Sequence, residues 1–268
     1  MALRTAIAGL GTIGLPVARA CHAGIPGIEL TAVASRRRNV AEQRLAGAGI
    51  NVPVLSIAEM IERADVVVEC APAKEFRSIA EPVLKAGRLL VTVSGAALLE
   101  AFDVVELAKQ HNGRIILVSG ALLGLDAVRA AAEGEVRSVR MISRKPPLSL
   151  RGAPYLEANK IDVTSITTAT RVFKGSAREG ARGFPANFNV AAALSLAGIG
   201  PDKTELEIWA DPAVTRNEHT IEVDADSARL SMTIANVPSA ENPATGRITP
   251  LSIIACLRGL VAPLRVGT

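Results

Sequence analysis

Three glycines, Gly9, Gly11 and Gly14, stand between the apolar run Thr5-Ala6-Ile7-Ala8 and a helix-like run over residues 15–21. A strand, a tight turn and a helix in that order leave few folds open. Gly9 permits a sharp exit from the strand, Gly11 removes the Cβ that would keep a pyrophosphate at a distance, and Gly14 lets the helix pack closely. The start of the helix adds free N–H groups and its positive dipole end, both of which favour phosphate. Gly9, Gly11, Thr12, Ile13 and Gly14 are therefore expected to hold a dinucleotide, the competing reading being a bare structural turn. A secretory leader is the other competitor for this stretch. Three glycines inside its would-be apolar core and Arg19 at its end argue against it.

The segments that follow keep the same alternation to about residue 119. Strand-like stretches over 3–8, 29–34, 64–70, 88–93 and 114–118 are separated by helix-like ones such as 75–86 and 100–111. That pattern predicts a parallel sheet with helices on both faces. Beyond Gly120 a helix over 126–133 precedes strand candidates at 137–143, 165–173, 205–210, 219–223 and 228–235. Asp224-Ala225-Asp226 between the last two predicts a hairpin. Pro250 opens a final helix over 251–260 that ends near Pro263. The expectation is an α/β chain: a Rossmann-like dinucleotide-binding domain over 1–122, then an α+β domain over 123–249 with a mixed or largely antiparallel sheet. The helix over 250–262 is expected to pack back on the first domain.

Composition narrows the classes. With 49% hydrophobic residues but only 3% aromatic, the core must be built from Ala, Val, Leu and Ile. Cys21, Cys70 and Cys256 lie far apart with no C-x-x-C spacing, which predicts reduced structural thiols and no zinc site. The longest apolar runs, over 89–99 and 115–125, fall short of the roughly 18 residues of a membrane span, so a cytoplasmic chain is expected. A net charge of +4 spread along the sequence, with few aromatics, disfavours nucleic acid and suits an anionic small molecule.

The second strand of a dinucleotide fold ends in Asp or Glu when a ribose 2′-hydroxyl is bound. Here Val33-Ala34 is followed by Ser35-Arg36-Arg37-Arg38. A hydroxyl and guanidiniums in place of a carboxylate suit a 2′-phosphate, so Ser35 and Arg36 are cofactor candidates and NADP is expected to be accepted alongside NAD. A solvated basic loop is the plain alternative. Later strands end in Cys70-Ala71-Pro72-Ala73, Ser94-Gly95-Ala96-Ala97 and Ser119-Gly120-Ala121. Small residues there leave room for a ligand, and Ala71 and Pro72 are added to the cofactor set.

The second half carries Ser119-Gly120-Ala121-Leu122-Leu123-Gly124-Leu125-Asp126, Ser143-Arg144-Lys145-Pro146-Pro147, Val172-Phe173-Lys174-Gly175-Ser176-Ala177, Phe184-Pro185-Ala186-Asn187-Phe188-Asn189-Val190-Ala191, Ala210-Asp211-Pro212 and Asn217-Glu218-His219. In that order, and over essentially the whole chain, these blocks resemble the L-aspartate dehydrogenase family. The resemblance implies NAD(P)-dependent oxidation of L-aspartate to iminoaspartate, which hydrolyses to oxaloacetate and ammonia, a reverse reductive amination, and a link to NAD synthesis. It further implies a catalytic histidine at His219, cofactor contacts at Ala121 and Asn189, and a homodimer joined through the second domain.

The residues themselves are compatible with those roles. His22 and His111 follow or end helices, whereas His219 opens a strand candidate after the polar Asn217-Glu218 pair, and an imidazole titrates near neutrality. Asn189 has the paired donor and acceptor that a carboxamide requires, and Asn187 either caps the following helix or faces the substrate. Two substrate carboxylates call for cations, and Lys145, its neighbour Arg144 and Arg247 are the candidates. One departure stands out. After Glu241-Asn242-Pro243 the chain reads Ala244-Thr245-Gly246, where the family pattern is closer to N-P-K-T-S. The missing lysine at 244 leaves the distal carboxylate contact to Arg247 or to a looser specificity. The alternatives are a homoserine-dehydrogenase-like or dihydrodipicolinate-reductase-like oxidoreductase, and a non-catalytic NADP-binding sensor.

Overall fold

The alternation of the first 120 residues builds a six-stranded, wholly parallel sheet in the computed structural model, which describes residues 1–185, 188–242 and 245–267. Its elements are β1 (Leu3–Ala8), α1 (Gly14–Gly24), β2 (Ile28–Ala34), α2 (Arg38–Gly47), β3 (Val54–Leu55), α3 (Ile57–Glu62), β4 (Val66–Glu69), α4 (Phe76–Lys85), β5 (Leu89–Thr92), α5 (Gly95–Glu100), α6 (Asp103–Gln110) and β6 (Arg114–Leu117). The strand order is β3-β2-β1-β4-β5-β6. The direction of winding reverses between β1 and β4, which is where such sheets bind ligands.

Continuous burial of Val66, Val67 and Val68 along β4 follows from coverage on both faces. On one face Ile7, Val33, Val68 and Val91 meet Val17 and Cys21 of α1 and Leu45 of α2. The other face carries α4, whose buried Phe76, Ile79, Val83 and Leu84 lie against β4 and β5, and α6 against β6. Burial pushes the Cys21 thiol up to about 11, as suits a core thiol.

Two compact units are resolved: Met1–Gly120 with Thr249–Val266, and a second formed by Ala121–Ile248. The second contains α7 (Leu125–Ala132), β7 (Val136–Lys145), α8 (Pro154–Ala158), β8 (Thr170–Ser176), α9 (Ala177–Gly183), α10 (Asn189–Ala197), β9 (Glu205–Ala210), β10 (Glu218–Ala225) and β11 (Arg229–Ala235). The order β11-β10-β7-β9-β8 makes a mixed sheet, with β7 and β9 parallel and the other pairs antiparallel. Alternation sends Val139, Met141, Ser143 and Lys145 of β7 to the buried face and Arg140, Ile142 and Arg144 to the half-buried one. The final helix, α11 (Ile248–Val261), places Ile253 and Leu257 in the core of the first unit. Among the described residues no helix is long and apolar enough to cross a membrane.

Several expected segments shift. The strand expected over 165–173 begins only at Thr170, because a 3₁₀ turn over Val163–Ser165 precedes it and the Asp162 carboxylate accepts the Thr164 N–H at 2.8 Å. The helix expected over 100–111 runs from Asp103 to Gln110, and a separate helix ends at Glu100 before it. The short β3 and the polar α2 carry too little apolar pattern to be anticipated. β7 runs on to Lys145, and this places the lysine inside the sheet.

Candidate functional site

In the first unit the loop after β1 is shaped by its own glycines. Gly9 has φ +96°, and a Cβ there would fall 2.7 Å from the Cys70 carbonyl carbon and 2.8 Å from the Ala71 nitrogen. A Cβ on Gly14 would meet the Gly9 oxygen at 1.9 Å, so the loop closes on itself only with glycine at both places. At Gly11 a Cβ would meet nothing within 4 Å. Its absence serves whatever occupies that open space. No side chain caps α1 behind Thr12 and Ile13, and its first turn has no acidic residue, which suits an anion at the helix start. The Arg44 guanidinium reaches the loop from α2 and donates to the Leu10 oxygen at 2.6 Å. This is a cradle that fits a pyrophosphate.

Ser35 follows β2 directly. Arg36 beside it is exposed and forms an ion pair with Glu75. Exposed pairs contribute little stability, so a phosphate can take the guanidinium at small cost. Ala71 and Pro72 follow β4, where the Ala71 N–H donates to the Glu69 carboxylate at 2.8 Å and the Pro72 oxygen accepts the Glu75 N–H.

In the second unit, register makes the site. β10 pairs with β7 so that His219 lies opposite Ser143, and the Ser143 Oγ is 2.9 Å from His219 Nδ1. Lys145 follows on the same face of β7, and Ser143, Lys145 and His219 are each 3% exposed. Burial, reinforced by the Lys145 charge, holds the imidazole down to about 3, while burial lowers the Lys145 ammonium to about 8. His219 is thus neutral at ordinary pH. In the tautomer that donates Nδ1–H to the Ser143 oxygen, the Nε2 lone pair is left to take a proton.

Arg144 points the other way. Its guanidinium lies 5.0 Å from the Trp209 ring centroid and pairs with Asp211 at 3.0 Å. Ala121 opens the second unit, and its oxygen accepts the Asn236 Nδ2–H at 2.9 Å, while the Asn236 N–H bonds to the Asn217 oxygen. Asn189 is the first residue of α10 and is exposed. Arg247 is exposed after β11, its N–H bonded to the Val237 oxygen. Asn187 and the departure at Ala244 lie outside the described residues. Four groups at these sites were not anticipated: Ser143, Asn236, Arg44 and Glu69. Alternation places Ser143 with Lys145, but its link to His219 depends on a pairing across 76 residues.

Residues 126–260 match the family model described as aspartate dehydrogenase, C-terminal, and residues 9–118 match the NAD binding domain of homoserine dehydrogenase. An L-aspartate dehydrogenase from Bradyrhizobium diazoefficiens is 54% identical, covering 99% of this chain and 94% of that protein. L-aspartate dehydrogenase 3 of Bordetella bronchiseptica is 51% identical, covering 99% and 98%. Among solved structures, aspartate dehydrogenase from Thermotoga maritima superposes with a TM-score of 0.75 at 24% identity, covering all of both chains, which shows the shared fold.

Proposed function

Because the chain belongs to the aspartate dehydrogenase family, we propose that it catalyses NAD(P)-dependent oxidative deamination of L-aspartate to iminoaspartate, which hydrolyses to oxaloacetate and ammonia. The single observation that carries this reading is His219, buried on the sheet with Ser143 against its Nδ1 and Lys145 on the same face. His219 takes the proton released as the amine becomes an imine, or activates the hydrolytic water, and returns it in reductive amination. Lys145 supports a substrate carboxylate, with Arg247 and Asn187 as further substrate contacts. Gly9, Gly11, Thr12, Ile13 and Gly14 hold the pyrophosphate, Ala71 and Pro72 extend that surface, and Ala121 and Asn189 are the cofactor contacts of the second unit. The dinucleotide supplies the hydride acceptor in one direction and the donor in the other.

The dinucleotide-binding domain spans 1–122 and the catalytic and dimerisation domain 123–249. The enzyme is cytoplasmic, and its iminoaspartate feeds NAD synthesis. A homodimer is supported by the half-buried sheet face of the second unit. Trp209 lies there between Arg144 and Arg171, and its Nε1–H donates to the buried Glu207 carboxylate at 2.9 Å. Burial opposes charge on Glu207, but Trp209, Arg140 and Arg171 hold its carboxyl below the usual range.

Steady-state kinetics with L-aspartate test the reading. Turnover is expected with NADP and with NAD, and Arg36→Ala should raise KM for NADP about 10-fold, the loss of one charged hydrogen bond, while leaving NAD unchanged. Absence of turnover with either dinucleotide would contradict the assignment. An unaltered KM for NADP would remove Arg36 from cofactor selection.

A further inference from the structure

Glu69 is the last residue of β4 and is fully buried, 0% exposed. It stands beside Ala8 of β1 on one side and Thr92 of β5 on the other, at the point where the winding of the sheet reverses. No cation contributes to its environment among the described residues. Its carboxylate is held by donors instead. The Ala71 N–H reaches Oε1 at 2.8 Å, the Thr92 hydroxyl reaches Oε2 at 2.6 Å, and the Ser94 side chain adds a further hydrogen bond. Thr92 Oγ1 in turn accepts the Ser94 N–H at 2.9 Å. Burial pushes the Glu69 carboxyl up against these donors, so the group is costly where it stands.

The partners of Glu69 indicate what the carboxylate does. Ala71 is the residue whose nitrogen would clash with a Cβ on Gly9, so fixing the Ala71 peptide also fixes the wall against which the glycine loop rests. Thr92 and Ser94 carry the chain out of β5. One carboxylate therefore ties the loops after β4 and β5 to each other and braces the loop after β1. In a sheet of this order the β1–β2 side takes the adenosine half of a dinucleotide and the β4–β5 side the other mononucleotide.

We propose that Glu69 is a positioning residue for the nicotinamide half of the cofactor, acting through the Ala71 N–H and the Thr92 and Ser94 side chains. The inference rests on the dinucleotide reading of this unit. The test measures Kd for NADPH and for adenosine 2′,5′-bisphosphate, which lacks the nicotinamide mononucleotide half, in wild type, Glu69→Met and Glu69→Gln. Glutamine keeps an acceptor for the Ala71 N–H and turns its amide toward the Thr92 oxygen.

Glu69→Met is expected to weaken NADPH at least about 10-fold, the effect of unsatisfied buried donors, with the fragment held within about twofold. Glu69→Gln should stay near wild type for both. Equal loss of both ligands, no loss of either, or a Gln variant as weak as Met would overturn the proposal. Should Glu69→Met not fold, Thr92→Val removes the hydrogen bond to Glu69 together with the one accepted from the Ser94 N–H, and the same split between NADPH and fragment is expected, equal losses again overturning it. Failure of wild type to bind the fragment would instead count against the dinucleotide reading itself.

Discussion

Alanine at position 219 is expected to lower kcat by about 10²–10⁴-fold, the usual contribution of a placed proton acceptor, and to leave Kd for NADP within about twofold. The expectation follows from where the ring sits. β10 delivers His219 to the buried face, Ser143 fixes its Nδ1, and burial with the Lys145 charge keeps it neutral to about pH 3. The ring stays unprotonated, with its lone pair available, throughout the assay range, so no loss of activity between pH 5 and 7 should trace to protonation of this residue in the free enzyme. An unchanged kcat in His219→Ala would remove it from the mechanism. A large loss of dinucleotide affinity would make the ring a structural group.

The second large effect belongs to Lys145. Removing a buried charge that meets a carboxylate costs about 2 kcal/mol or more, so Lys145→Ala should raise KM for L-aspartate at least about 30-fold. The pH dependence has a definite sign. Burial lowers the ammonium to about 8, so its charge is present below that pH and is lost as pH rises through it. KM for L-aspartate should therefore be flat below about pH 8 and climb above it in wild type. In Lys145→Ala it should be high and lack that climb. A wild-type KM independent of pH from 7 to 10 would contradict the contact.

The glycine loop was legible because its chemistry is local: strand, turn and helix lie within some twenty residues, and each glycine has its own steric reason. The parallel sheet was legible for a similar reason, five of its six strands being announced by a short apolar run. Of the proposed catalytic group, His219 and Lys145 were legible and Ser143 was not. His219 could be singled out by its polar neighbours, but the role of Ser143 exists only through the register of two strands far apart in the chain. Glu69 was hidden differently. A glutamate at the end of a Val-rich strand looks like the point where the strand meets solvent, and its burial appears only when the loops after β4 and β5 fold over it. The strand around Thr170 was misplaced because Asp162 imposes a local turn that hydrophobic pattern does not register.

L-aspartate should be oxidised in preference to its neighbours in size and charge. The most direct measurement follows the absorbance of the reduced nicotinamide while the wild-type protein is given L-aspartate, L-glutamate, L-asparagine and L-alanine in turn, with NADP and with NAD. A kcat/KM for L-aspartate at least about 10²-fold above those for L-asparagine and L-alanine is expected, since a site built for a second charged group rejects analogues that leave it unpaired, and at least about 10-fold above that for L-glutamate, which has one methylene too many. Turnover of another amino acid at or above the rate with L-aspartate would contradict it.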